Sequence, residues 1–341
     1  MLDSGESHPV SGERFLVRAF RPGDEAQILG LFARSFPHAP RTLEHFTWKY
    51  LRNPFGNGHI SLAFEGEQLV GHYAGYCVPF VDDGLALPAH QIGDTMTEPA
   101  VRHVGRGPTS ILGRTALHFY ATFCERQAAF NYGFNVANIQ RFSLRFLRSD
   151  RVEPVTYRRR DVMAKPFSRI NAIERLARGY RLELVSDPGP EFDDLFARVA
   201  PAYGLLVRRD ARYLRWRYFD CPDQPPYFVI AIRKRGNLVG WSAFRIVSDS
   251  LRWGDLLFDP RHSDALEVLL RHVVPSYPVR AVEGWFPPRP GWLSDAITEM
   301  HFETLPEPQD LSLMCVPFTR DDAVARMREA LFYTWGDSDL F

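Results

Sequence analysis

The sequence predicts an α/β protein with mixed sheets, built from two tandem copies of one fold. Two observations carry this prediction. A strand-like run ends near residue 98, turns through two glycines and re-enters a helix near residue 108, which is the order of a strand–turn–helix unit. Short segments of the first half also recur in the same order in the second half, as they do when a domain is duplicated.

The composition allows two ordinary domains and argues against several classes of partner. At 341 residues and 45% hydrophobic content, the chain can bury two cores. Lys plus Arg and Asp plus Glu both total 41, so the net charge is zero. Because a neutral protein has no global field that gathers nucleic acid or anionic membrane, we expect neither as a partner.

The cysteines and the N-terminus indicate the compartment. The four cysteines lie far apart, without the spacing of metal ligands, at Cys77, Cys124, Cys221 and Cys315. We therefore expect buried thiols in a reducing compartment and no metal site. Residues 1–8 lack a cationic and apolar leader pattern, and no apolar run of 18 residues occurs. The sequence thus predicts a soluble, cytoplasmic protein.

The elements of the first copy alternate between strands and helices. Periodicity of two or of 3.6 residues distinguishes them. They are predicted as a strand from Phe15, a helix through Leu31, a hairpin from Ile60 and Leu69, a strand from Ala89 to Thr97, a helix with Leu112, Ala116, Phe119 and Phe123 on one face, a strand from Phe130 and a helix to Leu147.

The turn after the strand that ends at Thr97 is suited to hold a phosphate. Gly105 and Gly107 let the backbone curl without Cβ clashes, so that successive N–H groups can point inward. The helix that begins near Pro108 adds its partial positive end, and arginines flank the turn. An ordinary strand-to-helix turn that uses glycine only for geometry is the alternative.

This strand–turn–helix resembles the acyl-CoA pyrophosphate loop of the GNAT superfamily of N-acetyltransferases, and the flanking segments agree with it over about residues 14–160. The resemblance implies a cofactor, acetyl-CoA or another acyl-CoA, bound by the strand end, the turn and one residue of a later helix. These residues are Thr95, Met96, Thr97, Arg102, His103, Val104, Gly105, Arg106, Gly107, Pro108, Thr109 and Asn138.

The repeat divides the chain into domains. Three segments recur in order: Leu31-Phe-Ala-Arg from Leu195, Trp48-Lys-Tyr as Trp216-Arg-Tyr, and Leu69-Val-Gly from Leu238. We predict an acyl-CoA-binding GNAT-like domain at 14–160, a connecting segment at 161–179 and a second GNAT-like domain with a C-terminal tail at 180–341. This arrangement is similar to that of mycothiol synthase and of the myristoyl and peptidoglycan-bridge acyltransferases.

The two copies differ at the cofactor turn. The second copy has Asp259-Pro-Arg-His-Ser-Asp at this place and no glycine. Without glycine the backbone cannot easily form an inward-facing nest of N–H groups. We therefore expect the first copy to bind the cofactor and the second to be degenerate, as a scaffold or as a wall of the acceptor pocket.

Attack of an amine on a thioester requires a general base. Period-2 alternation of the strand puts His90 and Asp94 on one face, together with Ile92 and Met96. Asp94 is the first choice for the base and His90 the second. The alternatives are an aspartate that caps the neighbouring turn and a histidine that is hydrogen-bonded in the core.

The leaving thiolate needs a proton or another donor. Many members of the family supply it from a tyrosine in the helix after the fifth strand, but the corresponding positions here are Phe142, Arg145 and Phe146. Tyr132, on the preceding strand, is the substitute that we predict. A strand tyrosine can equally be a core residue.

Candidate acceptor-binding residues lie between the predicted helix and hairpin, and they are Trp48, Tyr50, Asn53 and His59. Aromatic planes with a few polar groups suit a sugar or another compact polar ligand. Because Trp-x-Tyr occurs in both copies, packing is the alternative. The aromatic C-terminal tail is expected to dock, and across the interdomain cleft Asp337, Asp339 or the terminal carboxylate could engage an amine.

These observations predict an acyl-CoA-dependent N-acyltransferase, with acetyl-CoA as the expected donor and a primary amine of a small metabolite, such as an amino sugar, as acceptor. Two alternatives remain open on the sequence. One is a non-catalytic acyl-CoA-binding or regulatory module. The other is an aminoacyl-tRNA-dependent transferase, which would need a basic face that the neutral composition does not indicate.

Overall fold

Two mixed β-sheets organise the computed structural model, which describes residues 14–38 and 41–341. Residues 1–8, on which the expectation about a leader rests, lie outside the described part. In the first half the elements are β1 (Leu16–Ala19), α1 (Glu25–Ser35), α2 (Leu43–Phe46), β2 (Ile60–Glu65), β3 (Gln68–Asp82), β4 (Leu85–Thr97), α3 (Ile111–Phe123), β5 (Phe130–Asn135), α4 (Ala137–Phe146), β6 (Asp150–Pro154), β7 (Tyr157–Asp161) and α5 (Ala172–Ala177).

The second half repeats this order of elements, with the short strand β9 added between its first two helices. They are β8 (Tyr180–Leu184), α6 (Pro190–Val199), β9 (Leu206–Val207), α7 (Ala211–Leu214), β10 (Phe228–Lys234), β11 (Asn237–Val247), β12 (Ser250–Phe258), α8 (Asp264–Val273), β13 (Ala281–Trp285), α9 (Gly291–Glu299), β14 (Glu303–Leu305), β15 (Ser312–Pro317) and α10 (Ala323–Ala330). Two mixed sheets with matched helices confirm the predicted fold class.

The sheets exchange one strand with each other. The first sheet has the order β1-β2-β3-β4-β5-β15-β6, with β9 on β3, and the second has the order β8-β10-β11-β12-β13-β7-β14. Strand β15 from the second half and β7 from the first half therefore occupy matching places in the opposite sheets. The domain ranges 14–160 and 180–341 remain a prediction. In the structure, each sheet includes one strand from the other half of the chain.

Side-chain caps and apolar stripes explain why the matched helices form where they do. Helix α2 starts at Thr42, whose hydroxyl accepts from the His45 amide, and α7 starts at Asp210, whose carboxylate accepts from the Tyr213 amide. Both helices then pass into a π-helical turn, at Thr47–Leu51 and at Arg215–Phe219. The same capped, widened turn thus carries both Trp-x-Tyr motifs.

The core has two main parts, one on each face of the first sheet. A small cluster lies between this sheet and α3, with Tyr73, Phe119, Tyr120 and Leu147 among its members. A far larger cluster lies on the other face and continues without a break into the second half. The two halves therefore fold around one shared apolar core, which fixes their relative position.

The two Trp-x-Tyr motifs meet at the centre of this shared core. The Trp48 and Trp216 rings stack with centroids 5.3 Å apart. The indole N–H of Trp48 donates to the Trp216 carbonyl at 2.7 Å, and that of Trp216 donates to the Trp48 carbonyl at 3.3 Å. A stacked pair of this kind contributes about 1 kcal/mol beyond the area that it buries. Each repeat thus presents the same tryptophan to the other.

In the part of the chain that the structure describes, every helix is too short or too polar to cross a lipid bilayer.

Candidate active site

A gap opens in the first sheet where β4 and β5 separate. The two strands pair in parallel only from Ala89 and Phe130 to Gln91 and Tyr132. Beyond this point a bulge in β4 interrupts its pairing with β3, and Asp94 adopts a left-handed backbone with φ of 50°. The edge of β4 that faces β5 is therefore free of strand pairing from Ile92 onward.

A cavity of about 230 Å³ lies in this gap. It reaches from one face of the sheet to the other, because its walls include members of both apolar clusters. On the helix side the walls are Tyr73, Leu112, Tyr120, Phe142 and Ser143, on the side of the shared core they are Tyr132, Phe134, Leu311 and Asp339, and at the bulge they are Gly93, Asp94 and Thr95. Groups on both sides of the sheet can therefore meet through this cavity.

The glycine turn leads from β4 into α3, and both of these elements contribute residues to the cavity wall. Gly105 and Gly107 have φ of +74° and +53°, a region that disfavours residues with a Cβ atom. A Cβ atom on Gly105 would lie 2.5 Å from the Thr109 carbonyl oxygen, and one on Gly107 would lie 2.7 Å from the Phe146 ring. Both glycines are thus required by the shape of the turn.

The turn leaves two backbone amides without a hydrogen-bond partner among the described residues, one at the exposed Gly105 and one at the buried Gly107. The amides of Val104, Thr109 and Ser110 bond within the turn, whereas those of Gly105 and Gly107 make no hydrogen bond to any other described residue. The side chains of Arg102, His103, Arg106, Pro108 and Thr109 are exposed around these donors. Free amides next to arginines and the start of a helix are groups that can hold an anion.

The other predicted cofactor residues lie apart from the turn. Thr95 lines the cavity, Thr97 pairs with Gly71 on β3, and the Met96 side chain is buried in the shared core. Asn138 is exposed in the first turn of α4, where its side-chain oxygen accepts a hydrogen bond from Arg141. Of these four, Thr95 is the residue that the structure places at the cavity wall.

Asp94 is held in a tight ion pair at the bulge. Its Oδ2 atom accepts from the Lys49 ammonium at 2.7 Å and from the Tyr50 hydroxyl at 2.8 Å. Burial acts to raise the pKa of Asp94, but Lys49 and the hydrogen bonds together hold this pKa well below its usual range. Asp94 is therefore a stable carboxylate and a weak proton acceptor.

A second carboxylate reaches the same place from the C-terminal tail. The Oδ2 atom of Asp339 lies 3.0 Å from Lys49 Nζ, and its Oδ1 atom has a longer contact of 3.4 Å with the Gln91 amide. A Cβ atom on Gly93 would collide with Asp339, so the glycine admits the tail to the bulge. With 18% of its side chain exposed at the cavity wall, Asp339 is the more accessible of the two carboxylates.

His90, the second choice for the base, belongs to a different group of side chains. Its Nε2 atom lies 2.7 Å from His59 Nδ1, and its Nδ1 atom lies 3.0 Å from Asn131 Oδ1. Burial and the neighbouring His59 ring lower the pKa of His90 to about 3. In the part of the chain that the structure describes, His90 is not among the residues that line the 230 Å³ cavity.

Tyr132 lines the cavity, but its hydroxyl is engaged, because it donates to the Asp337 carbonyl at 2.9 Å. Burial raises the pKa of Tyr132 well above its usual value. Other hydroxyls at the cavity were not predicted: those of Tyr73 and Tyr120 lie 3.2 Å apart, and Ser143 is a third. Tyr120 lies four residues after Ala116, at the spacing of the predicted apolar face of α3. The helical pattern was therefore the signal that could have indicated it.

The predicted acceptor residues lie in four different places. Trp48 lies in the stack between the halves, and Tyr50 binds Asp94. The Asn53 side chain donates to the Cys77 carbonyl and accepts from the Phe55 amide, which shapes its own loop. His59 contacts His90. In the part of the chain that the structure describes, Tyr50 is the one among them that touches a carboxylate at the cavity.

The matching gap of the second sheet is filled. Strand β12 carries Gly254 and Asp255 where β4 carries Gly93 and Asp94, and a Cβ atom on Gly254 would collide with the Phe341 ring. The tail thus enters the second gap with an aromatic ring. The preceding turn carries no glycine, and α8 begins with acidic residues in its first turn, which disfavour an anion at that helix end.

Comparisons with known proteins agree with this geometry. Residues 16–144, the first copy up to α4, match the model of the GNAT acetyltransferase domain. Across the curated proteins, no sequence matches significantly.

Solved structures of the same fold extend the likeness to most of the chain. They include a protein of unknown function from Enterococcus faecalis described as a probable N-acyltransferase (TM-score 0.66, 14% identity, 90% of this chain and 73% of that chain). Two others are a GCN5-related N-acetyltransferase from Anabaena variabilis (0.64, 14%, 89% and 72%) and the N-myristoyltransferase of Saccharomyces cerevisiae, solved with myristoyl-CoA (0.58, 12%, 93% and 82%). At these identities the likeness concerns the fold. Taken with the domain match, it means that residues 16–144 form a GNAT acetyltransferase domain, in a chain whose fold is that of solved N-acyltransferases.

Proposed function

We propose that the first copy binds an acyl-CoA, acetyl-CoA in the first place, and transfers its acyl group to a primary amine of a small metabolite such as an amino sugar. The observation that carries this proposal is the cavity in the gap between β4 and β5. It joins the helix side, where the glycine turn leads into α3, to the tail side, where Asp339 stands.

The glycine turn supplies the grip on the pyrophosphate. The free amides of Gly105 and Gly107, the exposed Arg102 and Arg106, and the start of α3 all favour a negative group at this point. The second copy offers an acidic helix start and no glycine. We therefore assign acyl-CoA to the first copy alone.

The free edge of β4 supplies hydrogen bonds for the pantetheine arm. Strand pairing with β5 ends at Gln91, so the backbone groups of residues 92–97 on that edge can bond an extended amide chain. The cavity of about 230 Å³ is smaller than the roughly 300 Å³ at which pockets for drug-sized ligands begin. This size favours a short acyl group such as acetyl.

Asp339 is the group that we propose as the base. The acceptor arrives as an ammonium ion and must lose a proton before it can attack the thioester carbon. Asp94 accepts two short hydrogen bonds on one oxygen, whereas Asp339 shares Lys49 at a longer distance and is more accessible. Asp339 can therefore orient the amine and take its proton, directly or through water, while Asp94 holds Lys49 and Tyr50 in place.

The hydroxyls on the helix side can protonate the leaving thiolate. Tyr120 donates readily only as a neutral phenol, and burial raises the pKa of this residue above its ordinary value. The hydroxyl of Tyr73 is its partner at 3.2 Å, and Ser143 lies on the same side of the cavity. This group of hydroxyls takes the place of the family's tyrosine in α4. Four free cysteines and an acyl-CoA donor suit the predicted cytoplasmic location.

The test is a thiol-release assay with the purified full chain. Acetyl-CoA and myristoyl-CoA are each incubated with a panel of amino sugars, amino acids and polyamines, and free CoA is followed with a thiol reagent. We expect amine-dependent release from acetyl-CoA and at least tenfold less from myristoyl-CoA. Calorimetry with acetyl-CoA runs in parallel. Binding without release for any amine would favour the non-catalytic module, and no binding would refute the proposal.

A further inference from the structure

Three side chains, from β3, from β4 and from the residue just before β2, converge beneath α3, and they do not belong to the proposed acyl-transfer site. His59 Nδ1 lies 2.7 Å from His90 Nε2 and 3.3 Å from Cys77 Sγ. All three atoms lie within 4.8 Å of one another. Cys77 and His90 are direct partners in the β3–β4 register, and the Gly75 amide bonds the His59 carbonyl beside them. The sheet itself therefore places these atoms together.

Hydrogen bonding within the group does not use all of its atoms. The His90 Nδ1–H donates to the Asn131 carbonyl oxygen at 3.0 Å, which leaves a lone pair on Nε2. His59 Nδ1–H can donate to that lone pair, but the same nitrogen also faces the Cys77 sulfur. In a proton relay, one nitrogen of His59 would face Cys77 and the other would face His90, whereas here Nδ1 faces both. Three atoms aimed at one point are instead the arrangement of a ligand set.

The surroundings orient each of these side chains. Asn131 fixes the His90 ring and also donates to the Cys124 sulfur at 3.3 Å. The His59 ring stacks on Phe123 with centroids 4.8 Å apart. A carbonyl that accepts from the second nitrogen of a histidine is the usual outer partner of a histidine that binds a metal.

The second copy shows that the fold does not require polar residues at this place. By the matching registers of β11 with β10 and β12, the equivalents of His59, Cys77 and His90 are Phe228, Ile246 and Leu251. Apolar side chains thus fill the site in one copy. Burying two imidazoles and a thiol in the other is unfavourable unless their polar atoms find partners.

A cavity of about 370 Å³ adjoins the group and offers a path of entry. Its walls include His59, Cys77 and His90 themselves, several apolar side chains, and Arg208. Three protein ligands with open space beside them leave a fourth position for water or another small ligand. The cavity therefore supplies an entry path and an open fourth ligand position, which a closed cluster of side chains would lack.

We propose that His59, Cys77 and His90 form a binding site for a thiophilic divalent metal ion, with Zn²⁺ as the ion of first choice. A set of two imidazoles and one thiolate binds Zn²⁺ or Co²⁺ in preference to Mg²⁺ or Ca²⁺. Binding forms one S–metal and two N–metal bonds, breaks the S–H bond of Cys77 and releases its proton to solvent. The proton of His59 moves from Nδ1 to Nε2, so that Nδ1 has a lone pair for the metal. At metal–nitrogen distances of about 2.0–2.1 Å, the two histidine nitrogens must move apart to roughly 3.3 Å, a small side-chain adjustment.

The experiment titrates the chelator-treated full chain with Co²⁺, followed by displacement with Zn²⁺. We expect one ion per chain, visible bands of tetrahedral Co²⁺ and a thiolate-to-cobalt charge-transfer band in the near ultraviolet. Cys77→Ser should abolish the charge-transfer band, and His90→Gln should weaken binding at least 100-fold. Cys221→Ser, a matched control at a cysteine outside the group, should retain the full spectrum. Asn131→Ala should weaken binding by about 10- to 100-fold, because it removes the outer partner of His90.

Two further readouts keep the result independent of folding defects. Circular dichroism and thermal unfolding show whether each variant is folded. In the unmodified chain, Zn²⁺ should protect Cys77 from alkylation, as read by peptide mass spectrometry. Absence of stoichiometric binding in the folded wild-type chain would overturn the proposal. So would a charge-transfer band that survives in folded Cys77→Ser protein.

Discussion

The two copies place the same pair of side chains at the same bulge of the same strand, yet they leave different surroundings. In the first copy the Tyr50 hydroxyl donates to Asp94 at 2.8 Å, and in the second the Tyr218 hydroxyl donates to Asp255 at 2.6 Å. Beside the first pair lies an open cavity, whereas Phe341 packs on Gly254 beside the second. The fold thus sets the pair, and the tail decides which copy retains space.

The tail also gives one carboxylate to each copy. Asp339 joins Lys49 at the first bulge, and Asp337 joins the fully buried Arg209, which also binds Asp255. The second group has no exposed side chain among its members, while Asp339 keeps a face toward the cavity. The difference teaches that one duplicated charge arrangement can serve as a catalytic candidate in one copy and as an anchor in the other.

The largest expected effect tests the glycine turn. Gly105→Val and Gly107→Val should abolish acetyl-CoA binding, because their Cβ atoms would collide with the turn or with Phe146 and displace the free amides. Calorimetry measures the loss. Gly66→Val is the matched control, since Gly66 has a similar φ of +59° and open space around its Cβ position. Unchanged affinity for acetyl-CoA in folded Gly107→Val protein would show that the glycines, which the first copy has and the second lacks, do not decide cofactor binding.

The next effect concerns the base. Asp339→Asn should lower kcat by about 100- to 1000-fold, because the amine loses its proton acceptor, and should leave KM for acetyl-CoA unchanged. Steady-state kinetics with an amine that the enzyme acylates measures both constants. Asp94→Asn is the comparison, and it should lose less if Asp94 only holds Lys49. A full loss in Asp94→Asn at neutral and high pH, with activity retained in Asp339→Asn, would return the role of base to Asp94.

Removing the ring that fills the second gap should lower stability. Phe341 is 2% exposed, so Phe341→Ala should reduce the free energy of unfolding by about 3 kcal/mol through the cavity that it leaves. Activity should fall as well, since Asp339 lies two residues away. Chemical denaturation measures stability. Leu340→Ala, at a residue 37% exposed, is the control that should cost much less. Equal losses would show that the ring does not anchor the tail.

A smaller effect tests the contact between the copies. The single variants Trp48→Phe and Trp216→Phe and the double variant form a mutant cycle for the stacked pair. We expect a coupling energy of about 1 kcal/mol from the ring contact and the reciprocal hydrogen bonds. Urea unfolding measures it. Additive losses would mean that each tryptophan packs independently.

The smallest effect is the pH dependence of the tail anchor. Burial raises the pKa of Asp337 to about 6 against the pull of Arg209, and Asp255 adds to the rise. Because an unfolded aspartate titrates near about 3.9, the native state holds this proton more tightly. Its contribution is therefore full below about pH 4 and is lost as the pH rises through about 6. The stability of the wild type relative to Asp337→Asn should fall over that window in thermal unfolding, and a difference that grows with pH would contradict this.

Much of the first copy could be predicted from local pattern. The strand–turn–helix at 89–123 and the Trp-x-Tyr repeat follow from periodicity, glycine positions and matched segments, each confined to a short stretch of chain. The exchange of β7 and β15 could not be predicted in this way. A strand's pattern states that one face is buried, and it does not state which sheet the strand joins.

The site followed the same division. Sequence reasoning named Asp94 and the turn, but Lys49 entered no prediction, because its partner Asp94 lies 45 positions away in the chain. The hydroxyls of Tyr73 and Tyr120 were not predicted, because the family's tyrosine lies in the helix after the fifth strand and these two residues lie on β3 and α3. The His59, Cys77 and His90 group escaped the search for metal spacing, because strand register rather than sequence distance unites it.

By itself the sequence determined the fold class, the duplication and the position of the glycine turn, because each depends on residues that are neighbours in the chain. The tertiary structure decided which carboxylate stands at the cavity and which gap stays open. Both outcomes depend on where the C-terminal tail docks, and docking is fixed by burial of Trp335 and Phe341 in a core that both halves build. Such long-range packing has no signature in any single segment.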